Sequence, residues 1–122
     1  MSLFRFQLSP LYKSIHSDTI DFSVYIVRQT EIFQDWLDRL ADVRVQVRIA
    51  ARLRQAEQGN LGDWKPVGGN ISEMRVDVGP GYRLYFTRRI NTIIVMLAGG
   101  TKSSQKRDIK RVQEMLSELE LD

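Results

Sequence analysis

The chain has no cysteine and a single histidine, His16, among its 122 residues. A disulfide framework and a nucleophilic thiol are thereby excluded, and the Cys and His ligands that zinc usually takes are missing. Prolines number only three, and the longest unbroken apolar run, Ile93 to Ala98, falls far short of the roughly 20 residues that a membrane-spanning helix needs. Acidic residues are in slight deficit: 15 Asp and Glu against 18 Lys and Arg leave a net charge of +3, a mild bias toward anionic partners. No basic start leads into an apolar run and a small-residue cleavage site, so a secretory leader is not expected; repeats and low-complexity tracts are absent too. With 43% apolar residues at this length, the sequence predicts one soluble, cytoplasmic domain around one core.

Residues 1–22 carry scattered apolar side chains without a sustained period and are read as an N-terminal extension, leaving 23–122 as the domain. The run Val24 to Val27 predicts a first strand, ended by Arg28 and Gln29. Thr30 then stands where an N-cap is needed, with Glu31 in the first turn and Ile32, Phe33, Trp36, Leu37 and Leu40 on one helical face. Asp42 caps a second predicted helix, whose Val43, Val47, Ile49, Ala50, Leu53 and Ala56 are expected to face inward before Gly59 stops it. The glycines and proline between Leu61 and Asn70 predict a loop. Met74, Val76 and Val78 alternate with Glu73, Arg75 and Asp77, and beyond a Gly79-Pro80-Gly81 turn Tyr82, Leu84 and Phe86 alternate with Arg83, Tyr85 and Thr87. A more apolar strand, Thr92 to Ala98, completes a meander that Gly99 and Gly100 are expected to end. Ser104 then caps a last helix with Ile109, Val112, Met115, Leu116 and Leu119 at 3–4 spacing. The predicted order is βααβββα, an α+β fold with a small sheet, a helical hairpin and a C-terminal helix.

If Met74, Val76, Val78, Leu84 and Phe86 face the helices, period two places Glu73, Arg75, Asp77, Arg83 and Tyr85 on the opposite face of the sheet, and Arg75 and Arg83 share it if the Gly79-Pro80-Gly81 turn sets residues of like parity against each other, with a bulge at Gly79 or Gly81 allowed. A face of mixed charge on an antiparallel sheet is commonly no more than a solvated one, and Glu73 or Asp77 alone reads that way. Between the last strand and the last helix, Gly99 to Lys106 offers free backbone N–H groups together with Lys102 and Lys106, which suits a phosphate. A Walker A loop is not present, because the Gly-Lys-Ser order that cradles nucleotide phosphates is missing. Trp64 followed by Lys65 suits a base and its phosphate, or a Trp folded onto the core. The arginines of the second helix read as a solvated face or as an approach to RNA, and His16 as an exposed side chain.

Four segments in order, Gly59-Asn60-Leu61-Gly62-Asp63 with Lys65 to Gly68, Ser72 to Arg75, Gly79 to Phe86, and Gly99-Gly100 with Lys102 to Lys106 and Asp108-Ile109, resemble one known pattern. It is similar to the addiction-module killer proteins, the HigB-like and phage Gp49-like branch of the RelE/ParE toxin superfamily, from about Val24 to Leu119. The resemblance implies a compact microbial RNase-like fold and a toxin neutralised by an antitoxin encoded in the same operon. For RelE-type members it implies metal-independent, cofactor-free cleavage of mRNA at the ribosome; the ParE side of the superfamily instead inhibits DNA gyrase. Transferred by position, Arg83 and Lys102 become the transition-state cations and Arg75 a phosphate contact, with Lys65, Tyr85 and Lys106 as further RNA contacts. The tyrosine that some RelE-type toxins carry near the start of the last helix is replaced by Asp108, and a position of their lysine-rich strand by Glu73. The acid and base pair must therefore differ, with Asp108 or Glu73 as base and Lys102 or Lys65 as acid.

Overall fold

Phe6–Leu8 (β1) and Ile26–Thr30 (β2) run antiparallel, and at Thr30 the chain turns from strand to helix: the side-chain oxygen accepts from the Phe33 N–H at 3.0 Å and caps α1 (Glu31–Asp38). These and all further features belong to a computed structural model that describes residues 6–8 and 25–121. His16, Val24 and most of the extension lie outside the described residues. Asp42 caps α2 (Val43–Glu57) by accepting from the Arg44 N–H at 2.9 Å. The chain continues through β3 (Trp64–Gly68), β4 (Ile71–Val76), β5 (Tyr82–Arg89) and β6 (Ile93–Thr101), makes a short 3-10 turn at Lys102–Ser104, and ends in α3 (Gln105–Leu121).

The α+β class is as the sequence predicts, but the order is ββααββββα. The six strands lie in the order β1-β2-β6-β5-β4-β3, antiparallel throughout except for β2 beside β6. The first addition is β1, inside the extension. The second is β3, in the stretch read as a loop: Pro66 removes a backbone donor, which a sheet tolerates at an edge strand, and β3 is one edge of the sheet. β2 also runs on through Arg28 and Gln29, because these residues pair with Val95 and Met96 of β6.

Two cores sandwich the sheet. Val27, Met74, Val76, Leu84, Phe86, Ile94 and Met96 meet Phe33, Val45, Ile49, Leu53 and Ala56 of the α1–α2 hairpin. On the other face Ile71, Tyr85, Val95 and Leu97 meet Val112, Met115, Leu116 and Leu119 of α3. The inward ridge of α2 is therefore Val45-Ile49-Leu53-Ala56, at the 3–4 spacing of one helical face. Val43 and Val47, expected inside, lie off that ridge and are 66% and 58% exposed.

Gly99 and Gly100 do not end the meander; both are buried inside β6. A β-carbon on Gly99 would stand 2.3 Å from the Trp36 ring, and one on Gly100 would stand 2.0 Å from Asp108 Oδ2. The pair of glycines thus lets α1 press on one face of the sheet and α3 on the other. The Gly79-Pro80-Gly81 turn holds both glycines at positive φ and joins β4 to β5 without a bulge; the register shifts lie at Tyr85/Phe86 and Pro66/Gly68 instead. No helix among the described residues is long and apolar enough to cross a membrane.

Candidate functional site

Register aligns the polar side chains in two rows on the α3 face. Lys65, Glu73, Tyr85 and Ala98 are successive cross-strand partners, and Arg75, Arg83 and Gly100 form the next row. Alternation in β4 and β5 therefore brings Glu73, Arg75, Arg83 and Tyr85 to one face, as their sequence parity predicts. Asp77 lies past the end of β4 and is exposed.

That face is not solvated. Glu73 and Tyr85 are fully buried, and Arg83 and Asp108 are 6% exposed, because the first turn of α3 lies across them. Arg83 Nε approaches Glu73 Oε2 at 3.0 Å, and Arg83 Nη1 donates to the Tyr82 carbonyl. Gln105 Nε2 donates to Glu73 at 2.6 Å, and the Ser104 hydroxyl donates to Asp108 Oδ2 at 2.5 Å. Ser104, immediately before α3, thus has its hydroxyl engaged with the carboxylate one turn on. The Asp108 carboxylate lies over Gly100, the cross-strand partner of Arg83. The Arg83 guanidinium thus pairs with Glu73, while the Asp108 carboxylate sits in the first turn of α3, whose amino-terminal end offsets part of its negative charge.

Tyr85 lies within this cluster with its hydroxyl buried and without a hydrogen-bond partner among the described residues. Burial, and then the charges of Asp108 and Glu73, push its phenol well above the ordinary value of 10.0, so it stays neutral at physiological pH. Arg75 is half-buried, 3.8 Å from the Asp63 carboxylate. Among the helix arginines, Arg52 is structural, donating to the carbonyls of Leu61, Asp63 and Arg75.

The cations at the rim are open. Lys102 and Lys106 are exposed, and with Ser104, Gln105 and Arg107 they line a concavity of about 550 Å³ at the start of α3. The Lys102 N–H donates to the Gly81 carbonyl at 3.0 Å, anchoring the turn at the end of the sheet that carries Arg75 and Arg83. Lys65 is exposed beside Glu73, whereas Trp64 faces the opposite side with Met74, so the two do not form a single stacking and phosphate site. Sequence reasoning missed Gln105 and the partner of Ser104; the i,i+4 spacing of Ser104 and Asp108 at a helix start was the available signal. Among the described residues, no three His, Asp or Glu side chains gather as they would around a metal ion.

Comparison with known proteins extends this picture. The family described as phage-derived protein Gp49-like (DUF891), a toxin-like family related to RelE and HigB, matches residues 35–119. An uncharacterised protein of Haemophilus influenzae is 38% identical over 95 residues, covering 78% of this chain and 96% of that relative. No solved structure matches the chain.

Proposed function

The chain belongs to the phage-derived Gp49-like family, and from that premise we propose that it is the toxin of a bacterial toxin–antitoxin module and cuts mRNA on the ribosome without a metal. One observation carries the enzymatic reading: Arg83, Glu73 and Asp108 converge beneath a helix start whose exposed side chains are Lys102, Lys106 and Arg107. A phosphodiester seated in that concavity meets Lys102 and Lys106 at the rim, with Lys65 and Arg75 toward the β3 edge. Asp108 or Glu73 takes the proton of a 2′-OH as O2′ bonds to phosphorus. The P–O5′ bond breaks, Lys102 or Lys65 returns a proton to O5′, and Arg83 balances the charge on the intermediate oxygens. Because Arg83, Glu73 and Tyr85 are covered, direct contact with RNA requires the first turn of α3 to shift and Gln105 to release Glu73. An antitoxin encoded in the same operon would hold this toxin silent in the cytoplasm.

The alternative is a non-catalytic toxin that acts on DNA gyrase or another protein. One feature favours it: Arg83 is paired inside the fold rather than standing open. Inducing the protein in growing cells and mapping new 5′ ends on translated mRNA, with reporter-plasmid supercoiling followed in parallel, separates the two. New cleavage ends without a change in supercoiling support the RNase; changed supercoiling with intact mRNA overturns it.

A further inference from the structure

On the hairpin face of the sheet, away from the cluster around Arg83, the end of β5 and the start of β3 enclose a groove of about 480 Å³. Trp64 forms one wall, 38% exposed and seated against Phe86 with ring centroids 6.0 Å apart. The Arg88 guanidinium lies 5.7 Å from the Trp64 ring centroid and 5.1 Å from that of Tyr25, so two aromatic rings hold an exposed cation in place. Arg89 adds a second exposed cation, and Asn70 and Ser72 add polar groups. Among the described residues no carboxylate lines the groove, and no hydrogen bond or ion pair engages the side chain of Arg88 or Arg89.

We propose that this groove is a second RNA site, in which a base stacks on Trp64 and its phosphate sits on the fork of Arg88. A base needs exposed ring area held in place, which Trp64 offers beside Arg88, being 38% exposed and packed against Phe86. A phosphate needs an unpaired guanidinium already in position, which Tyr25 and Trp64 give Arg88. β3 connects the two faces. It is an edge strand of the sheet, and its consecutive residues Trp64 and Lys65 point to opposite sides. A single strand crossing this edge passes from the Trp64 groove to Lys65 and on toward Arg75 and Lys102. An acidic peptide would satisfy the cations but leave Trp64 without a stacking partner.

The inference rests on RNA being the substrate, and the experiment separates the two ideas. The full chain is titrated with a short single-stranded 2′-O-methyl oligoribonucleotide, which cannot be cleaved, while tryptophan fluorescence is followed. Quenching that disappears in Trp64→Phe is expected, with affinity weakened about tenfold in Arg88→Ala, partly recovered in Arg88→Lys and declining with salt. Thermal melts of the variants confirm that these exposed changes leave the fold intact. Wild-type affinity in a folded Arg88→Ala, or quenching that persists in Trp64→Phe, overturns the site while leaving the proposed cleavage standing. Arg88-dependent quenching by poly-glutamate but not by the oligonucleotide also overturns it, making the groove a protein-binding surface. Arg88-dependent RNA binding in a chain that cuts no mRNA in cells supports the groove and overturns the cleavage mechanism.

Discussion

Asp108 occupies the space that a side chain on Gly100 would need, its Oδ2 standing 2.0 Å from the position of a β-carbon there. Gly100→Ala must therefore displace the carboxylate from Ser104 or push α3 off the sheet. We expect a loss of about 1–3 kcal/mol, the usual cost of overpacking a close contact. Adding Asp108→Ala empties the contested space, so the double variant should be more stable than the sum of the two single effects. Urea unfolding of the four proteins measures this coupling, and strict additivity would show that the two residues do not share the space.

Lys102 and Arg83, both given roles in the proposed reaction, should respond differently to truncation. Lys102 is exposed, so Lys102→Ala should leave stability within about 0.5 kcal/mol while lowering toxicity on the order of a hundredfold. Arg83 is the cation of a fully buried carboxylate, and Arg83→Ala strands Glu73 in the interior at a cost of about 3–5 kcal/mol. Loss of toxicity in Arg83→Ala thus carries no catalytic information unless the melting temperature is held. Growth inhibition and thermal melting measured on both variants make the comparison, and full toxicity in Lys102→Ala removes Lys102 from the mechanism.

Tyr85 gives a pH signature. Its hydroxyl is buried without a partner among the described residues, so Tyr85→Phe should be neutral, or stabilising by about 1 kcal/mol, at pH 7. In the folded chain the phenol titrates above its ordinary value of 10.0. Its contribution to stability is therefore complete below pH 10 and is lost as the pH rises from there toward the folded pKa, where the unfolded chain has released a proton that the native state still holds. Wild type should lose stability above pH 10 more steeply than Tyr85→Phe, by at most about 1.4 kcal/mol per pH unit. Parallel slopes in urea titrations above pH 10 would sink this assignment. Reduced toxicity in an equally stable Tyr85→Phe would give the hydroxyl a role in the reaction.

What could be read from the sequence is what short-range chemistry decides. Thr30 and Asp42 cap helices through hydrogen bonds two or three residues away, and the alternation of Met74 and Val76 with Glu73 and Arg75 fixes which face each occupies. Contacts between distant segments decide the rest. Trp64 to Gly68 becomes a strand because β4 pairs with it, against the preference of its proline and glycines. Gly99 and Gly100 extend β6 because Trp36 and Asp108 fill the space above them, and apolar character alone could not tell buried Val45 from exposed Val43 and Val47. For the candidate site, parity identified Glu73, Arg75, Arg83 and Tyr85 as neighbours. Their burial followed only from the path of α3, whose Gln105 reaches Glu73 across 32 positions.

The extension tests where the domain begins. Among the residues whose burial is described, both cores are drawn from those that follow it in the chain, whereas β1 contributes a three-residue pairing, Phe6 with Thr30, Gln7 with Gln29 and Leu8 with Arg28. Removing residues 1–22 returns those β2 backbone groups to water and leaves β2 as an open edge. A few edge hydrogen bonds at about 0.5–1.5 kcal/mol each predict a loss of roughly 1–3 kcal/mol, with cooperative unfolding retained and a greater tendency to associate. Thermal unfolding, light scattering and growth inhibition of the truncated chain read these outcomes together. Loss of cooperativity would make the extension part of the core and move the domain boundary to its start. A cooperative but harmless truncation would place residues 1–22 in the functional site.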